Sequence, residues 1–171
     1  MPISLLIWED LVLPDYDHQV LKLTSDFYQK YPNPPYVEIE TKEARRYNCL
    51  IVQTHYDYFI CVPFRSHVNH KYAFHFKKSK RSKKNKSALD YTKIVIISNS
   101  AYIDSKQGIV DSDEYHEMMQ NIDIIVGEVL KFVDDYIAYC NGESGAISDE
   151  EYKRRYRYSC LPYFNKILGI E

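Results

Sequence analysis

Short connections between the strand-like segments of this chain constrain its fold more than any other feature. Apolar runs and alternating patterns typical of strands occupy residues 36–40, 46–54, 58–62, 70–76 and 91–97. Parallel strands need a crossover of a dozen or more residues, and most of the gaps between these runs are shorter. The sequence therefore predicts an antiparallel sheet of about five strands.

The boundaries of these segments follow from residue type. Residues 55–57 are expected to turn the chain between two strands, and Pro63 is expected to end the second of them, because proline donates no backbone hydrogen bond. Residues 77–87 contain only Lys, Arg, Ser and Asn. This composition leaves nothing apolar to bury, so we expect a mobile loop there.

Helical signals lie on both sides of the strand-like region. Thr24 is expected to cap a short helix that Pro32 ends. Ser148 is expected to cap a helix that runs through residues 152–158, with a break or kink at Pro162.

The strongest helical pattern lies between Tyr115 and Cys140, where apolar residues recur at steps of three and four. Asp111 and Glu114 resemble a capping box at its start, and Asn141-Gly142 is a typical helix end. One long amphipathic helix is therefore predicted. Strands followed by helices indicate an α+β fold.

The composition is that of an ordinary globular protein. With 171 residues, 45% of them apolar, the chain can bury a core, and we expect residues 1–171 to form a single domain. The N-terminal segment has neither a basic start nor a cleavage site, so we expect no signal peptide there. The four cysteines form no CxxC pair, and we expect free thiols in a reducing cytoplasm.

The charges are distributed unevenly along the chain. Residues 58–89 contain nine of the 22 Lys and Arg residues and no Asp or Glu, although the whole chain has a net charge of −2. A positive field concentrated in an otherwise acidic protein predicts contact with a polyanion such as RNA. A solvated charged surface or a localisation signal would produce the same pattern.

Two basic clusters are candidate RNA-binding segments: residues 77–86 inside this window and residues 153–157 beyond it. Lys and Arg contact phosphates, and tyrosine rings stack on bases. Tyr152, Tyr156 and Tyr158 alternate with basic residues in the second cluster. The helical spacing of Tyr152, Tyr156 and Tyr163 fits core packing at least as well. The RNA-binding candidates are Lys77, Lys78, Lys80, Arg81, Lys83, Lys84, Lys86, Lys93, Arg154, Arg155 and Arg157.

The segment 65–71 carries a different chemistry. RNA is cut when its own 2′-OH attacks the adjacent phosphate, which requires a base, an acid and groups that neutralise the phosphorane. His67 and His70 have the side chain best suited to proton transfer near neutral pH. Arg65, Ser66 and Lys71 supply donors and positive charge for phosphate oxygens. These five residues are the predicted catalytic set.

The histidines of this segment are also compatible with a metal site or with a surface that performs no chemistry. The spacing of His67, His70 and His75 permits a three-histidine metal site, but no Cys or carboxylate accompanies it, and we expect neither a metal nor a cofactor. Alternatively, the histidines are surface residues and the chain is an RNA-binding module without catalysis.

Several segments together are similar to the TenpN-type toxins of type III toxin–antitoxin systems, which are related to the ToxN, CptN and AbiQ toxins. The most specific are residues 63–74 (PFRSHVNHKYAF) and 89–93 (LDYTK). The resemblance extends from about Gln19 to the end, and it implies that residues 1–18 are an extension beyond the usual start of the family. Its weaker matches are residues 23–28, 46–47, 161–164 and 168–170.

The resemblance implies a compact, strongly bent antiparallel sheet, related to the SH3-like barrel of MazF-like toxins and decorated by helices. It implies a metal-independent endoribonuclease that leaves a 2′,3′-cyclic phosphate and a 5′-OH on cellular or phage RNA. The implied partner is a small pseudoknotted repeat RNA, which the toxin cuts from a precursor and then binds as its antitoxin in an RNA-bridged oligomer.

The ToxN branch of this family reads Thr-Ser-x-Lys where this chain has Arg65-Ser66-His67. The serine therefore carries over to Ser66, whereas the role of the lysine passes to His67, His70 or Lys71.

Overall fold

A computed structural model describes residues 19–40, 48–54 and 56–171. The expectations for residues 1–18, for residues 46 and 47 and for His55 lie outside the described residues. The strands are β1 Gln19–Leu23, β2 Asn48–Gln53, β3 Phe59–Arg65, β4 Ala73–His75, β5 Ala88–Asp90, β6 Val95–Ile97 and β7 Ile103–Gln107. The helices are α1 Ser25–Lys30, α2 Lys80–Asn85, α3 Ser112–Gln120, α4 Ile122–Cys140 and α5 Asp149–Tyr156.

The fold is α+β, with one antiparallel sheet that curls without closing in the described part of the chain. The strand order is β4-β5-β3-β2-β1-β7, and β6 also pairs with β3. All of these pairs are antiparallel, which confirms the prediction from the short connections. The sheet has seven described strands rather than about five, because short strands such as β5 lacked a distinctive pattern.

Strand β3 is the centre of the sheet, and every residue in it except Arg65 is buried. Contrary to the prediction, Pro63 does not end this strand but pairs with Cys49 inside it. On its other edge, β3 pairs with β6 up to Cys61 and with β5 from Phe64 onward. Pro63 thus lies in the interval between two partner strands, where a proline interrupts no continuous ladder.

Three further strand predictions were wrong or too long. Residues 36–40 form turns, because the backbone N–H groups of Val37 and Ile39 donate to carbonyls within the same segment or just before it. The predicted strand 70–76 is reduced to β4, and the run 91–97 divides into a 3-10 turn at Tyr91–Lys93 followed by β6.

The predicted long helix is two helices, α3 and α4, separated at Asn121. Asp111 caps α3 as expected, since its carboxylate accepts hydrogen bonds from the N–H groups of Asp113 and Glu114. The predicted cap at Ser148 is also confirmed, because its hydroxyl accepts from Glu151 N–H at the start of α5.

One hydrophobic cluster joins the sheet to the helices. Aromatic contacts complete it: Phe132 and Tyr136 of α4 lie against Tyr156 of α5, with ring centroids 4.7 and 5.2 Å away. Cys49, Cys61 and Cys160 are buried free thiols, and burial raises the pKa of Cys160 to about 12. In the described residues, no helix is long and apolar enough to cross a membrane.

Leu89 is fully buried at the centre of β5, where it pairs with Phe64 of β3 and Phe74 of β4. Leu89→Ala should lower the free energy of unfolding by about 3 kcal/mol, since it leaves a cavity in the core. Urea denaturation followed by circular dichroism measures this. Ile109→Ala is the control: this side chain is exposed, and a change above about 0.5 kcal/mol there would contradict a cost that arises from burial.

Candidate functional site

The predicted catalytic residues lie on the loop between β3 and β4. Arg65 ends β3 beside Ala88, and Ala73 begins β4 beside Asp90, so that the loop 66–72 emerges where three strands meet. A loop held at both ends by paired strands presents its side chains from a rigid support.

Asp90, at the end of β5, is the polar centre beneath this loop, and it is fully buried. Its Oδ1 accepts hydrogen bonds from the backbone N–H and the hydroxyl of Thr92, at 3.0 and 2.7 Å. The same oxygen lies 3.2 Å from Nε2 of His70, and Oδ2 lies 2.8 Å from Nη1 of Arg65. A buried carboxylate requires such partners, and in return it fixes the positions of the arginine and the histidine.

Arg65 and Lys93, two of the residues predicted to contact phosphate, are paired with carboxylates of the protein. Arg65 forms ion pairs with both Glu40 and Asp90, and its side chain is 19% exposed. Lys93 pairs with Glu38 at 2.5 Å, donates to the Tyr158 carbonyl and is 11% exposed. The protein itself therefore neutralises much of the charge that these two residues carry.

The histidines of the loop have different environments. His67 is exposed and has a left-handed backbone with φ of 59°, held by a hydrogen bond from its N–H to the carbonyl of Asn85. His70 is oriented by Asp90, and its Nδ1 is shielded and lacks a partner among the described residues. The carbonyl of His70 accepts from Nε2 of His75, so the third histidine holds the loop backbone.

Residues 77–87, the basic segment, form helix α2 and its flanks rather than a mobile loop. Ser79 caps the helix by accepting a hydrogen bond from Ser82 N–H. Glu117 of α3 accepts from the N–H groups of Lys77 and Lys78, at 2.9 to 3.0 Å. Local composition favoured disorder, but buried carboxylates on α3 supply partners for the polar groups of the basic segment.

Glu114 is the more deeply placed of these two carboxylates and is fully buried. It accepts hydrogen bonds from the hydroxyls of Ser79 and Ser87 and pairs with Arg81, whose Nη1 lies 2.7 Å from Oε2. The other cations of the basic segment remain exposed, and they are Lys77, Lys78, Lys80, Lys83, Lys84 and Lys86.

The predicted catalytic loop and the basic segment are in direct contact. The N–H of Val68 donates to the Lys86 carbonyl, and Nζ of Lys86 donates to the side chain of Asn69. In addition, Nη2 of Arg81 lies 2.8 Å from Oγ of Ser66. Two segments that the sequence presented as separate therefore form one continuous surface.

The second basic cluster adjoins the other end of the loop. Arg155 of α5 lies over the ring of Tyr72, 5.9 Å from its centroid, and pairs with Asp135 and Glu151. The hydrogen bond from Arg155 lowers the pKa of Glu151, and Lys71 adds a smaller effect of the same sign. Lys71 itself is exposed, with its ammonium 5.4 Å from the centroid of the Tyr72 ring.

An open depression of about 610 Å³ lies on the surface of α5. It is lined by Tyr152, Lys153, Arg154, Arg157 and Tyr158. The guanidinium of Arg157 lies 5.1 Å from the centroid of the Tyr158 ring, which is 57% exposed. Arg154 also remains largely exposed, although it is within 4 Å of two glutamates.

The acidic residues of the site had no recognisable signal in the sequence. Asp90 is the first acid after the basic window, and Glu114 was interpreted only as part of a capping box. Only the folded chain places Asp90 beneath the loop and Glu114 against the basic segment.

In the described part of the chain, no group of three or more His, Cys, Asp or Glu residues is arranged to hold a metal ion.

No family model matches the chain, and no curated protein or solved structure is significantly similar to it.

Asp90→Asn removes the charge that Arg65 and His70 contact. We expect the free energy of unfolding to fall by about 3 kcal/mol, because a buried partner is left without its counter-charge. Chemical denaturation near neutral pH measures the loss. Asp113→Asn, an exposed aspartate in the first turn of α3, is the matched control and should cost less than about 1 kcal/mol. Equal losses in the two variants would contradict the role assigned to Asp90.

Proposed function

We propose that this protein is the toxin of a type III toxin–antitoxin system, a cytoplasmic endoribonuclease that cuts RNA without a metal. The 2′-OH of the RNA attacks the adjacent phosphorus, and the products are a 2′,3′-cyclic phosphate and a 5′-OH. A small repeat RNA, processed by the same protein, binds as the antitoxin and bridges copies of the toxin into an oligomer.

The observation that carries this proposal is the position of the loop 66–72 between two basic clusters. The loop contacts α2 and its flank at one end, through His67 and Val68, and lies beside α5 at the other end, through Tyr72. An RNA strand that contacts both clusters passes over the hydroxyl, the imidazoles and the ammonium group of the loop. Charged flanks supply affinity, and the loop supplies the chemistry.

The loop offers the groups that the reaction needs. His67 or His70 accepts the proton of the 2′-OH, and a second group of the set, His67, His70 or Lys71, protonates the leaving 5′ oxygen. Asp90 lies 3.2 Å from Nε2 of His70 and holds this imidazole in one orientation, whereas His67 is exposed and accessible to RNA. Ser66 and Lys71 supply a donor and a charge to the phosphate oxygens.

The exposed lysines of the basic segment and the depression on α5 form the proposed grip on RNA. Lysines contact phosphates without reading sequence, so this part of the surface provides affinity that falls with salt. Tyr158 and Arg157 at the depression present an aromatic ring and a guanidinium on which a base can stack.

The double variant His67→Ala/His70→Ala should lose RNA cleavage by at least about 100-fold, because both proton-transfer groups are removed. Cleavage of a long labelled transcript, with mapping of 5′-OH ends, measures the loss, and growth arrest on induction should disappear in parallel. His116→Ala is the matched control, because this histidine is exposed and belongs to α3 rather than to the loop. Retained cleavage in the double variant would exclude the mechanism.

The single variants test the assignment of acid and base. Removing the base should abolish the acidic limb of the pH–rate profile, whereas removing the acid should abolish the alkaline limb.

The antitoxin part of the proposal has a separate test, the ratio of absorbance at 260 and 280 nm of the protein purified after expression with its upstream DNA. A stable, non-toxic preparation free of nucleic acid would contradict an RNA antitoxin.

An RNA-binding module without catalysis is the second candidate. It is favoured by the ion pairs of Arg65 and Lys93, because two cations proposed for phosphate contact are already neutralised. Such a module needs only the exposed lysines and the tyrosines. It predicts RNA binding by the wild-type protein without any cleavage, and no difference in binding between the wild type and the double histidine variant.

A further inference from the structure

Because Arg65 is already paired with two carboxylates, a different fixed cation is needed to contact the reacting phosphate. Both amino groups of the Arg65 guanidinium are occupied by carboxylates, those of Glu40 and Asp90. Phosphoryl transfer through a phosphorane develops negative charge on the equatorial oxygens, and a positioned cation with planar donors is well suited to stabilise it.

Arg81 occupies the required position. Its Nη2 lies 2.8 Å from the hydroxyl oxygen of Ser66, whereas its Nη1 pairs with Glu114 at 2.7 Å. Among the described residues, and unlike Arg65, it has a carboxylate on only one side of its guanidinium, and its side chain is 33% exposed rather than 19%. Its outer edge therefore faces both Ser66 and solvent.

We propose that Arg81 is a catalytic residue that binds a non-bridging phosphate oxygen together with Ser66, and that Glu114 is the residue that positions it. This inference rests on the proposed function. Ser66 accepts a hydrogen bond from Arg81, so the hydroxyl proton of the serine is directed to another acceptor, the phosphate oxygen. The two side chains act as adjacent donors to one oxygen.

The chemical step requires no proton transfer from either residue. The bond between the 2′ oxygen and phosphorus forms while the bond between phosphorus and the 5′ oxygen breaks, and the proton-transfer groups of the loop handle the protons. Arg81 and Ser66 stabilise the charge that accumulates on the equatorial oxygen and are unchanged at the end.

Glu114 makes this arrangement rigid. Its carboxylate is fully buried and is held by the hydroxyls of Ser79 and Ser87 as well as by Arg81. A buried carboxylate with three fixed partners leaves the guanidinium little freedom, and such preorganisation spares the reorganisation that water would need. Helix α2 thus contributes one residue to the site, and its other cations contribute charge.

The first experiment compares two losses of positive charge from the same helix. Arg81→Gln should lower kcat for cleavage of a long labelled transcript by about 100-fold, with a smaller change in KM, because the contact is made mainly in the transition state. Lys84→Gln removes an exposed charge from α2 and should raise KM while leaving kcat within about threefold. Arg81→Lys should restore little, because an ammonium cannot reach Glu114 and the phosphate in the geometry of a guanidinium.

The second experiment separates positioning from folding. Glu114→Gln and Glu117→Gln each remove one buried carboxylate of α3 that holds the basic segment, but only Glu114 contacts Arg81. Glu114→Gln should lower kcat by at least about tenfold more than Glu117→Gln, measured at a temperature where circular dichroism shows both variants folded.

The outcomes separate the role of Arg81 from the proposed function. If the wild type cleaves RNA and Arg81→Gln loses no more kcat than Lys84→Gln, the role of Arg81 is wrong and the proposed function stands. Equal effects of the two glutamate variants on kcat would remove the positioning role of Glu114. A wild-type protein that binds the transcript and never cleaves it would overturn both the inference and the proposed function.

Discussion

The rest of the candidate site depends on the contacts that the buried carboxylate of Glu114 makes with the basic segment. A carboxylate without solvent contact must be satisfied by hydrogen bonds or by a positive charge, and Glu114 has both. Its partners belong to the most polar segment of the chain, which contains no apolar residue of its own. Packing that segment against α3 converts a sequence expected to be mobile into helix α2.

Asp90 has the corresponding role at the other side of the loop. It joins Arg65 of β3 to His70 of the loop, and Thr92 closes the arrangement from the turn after β5. Two buried acids, Asp90 and Glu114, therefore fix the two sides of one short loop. The two arginines that they hold are fixed by ion pairs, whereas the lysines around them are exposed to solvent.

Much of the fold was predictable from local pattern. Short connections indicated antiparallel pairing, and the period between Tyr115 and Cys140 indicated helix, because apolar spacing reports directly which face of an element is buried. The errors have physical causes. Pro63 is tolerated inside β3 because, along one edge of this strand, the partner changes there from β6 to β5. The predicted long helix is interrupted at Asn121, although the apolar spacing continues across that residue.

Residues 36–40 show that alternating apolar and charged residues do not always indicate a strand. Turns in this segment bury Ile39 and expose Val37. The basic window was recognised from composition, and the loop 65–71 from its residue types. The acids that organise both were not recognised, because they are distant in sequence from the cations they contact: Glu114 lies 33 residues from Arg81.

The sequence by itself determined the class of fold, the region of positive charge and the set of side chains available for chemistry, because these depend on composition and on spacing within short segments. The tertiary structure decided which cations are neutralised and which face solvent. Arg65 and Arg81 have the same side chain and lie in the same acid-free window. They differ because, within the part of the chain that the structure describes, folding places carboxylates on both sides of the Arg65 guanidinium and on a single side of that of Arg81.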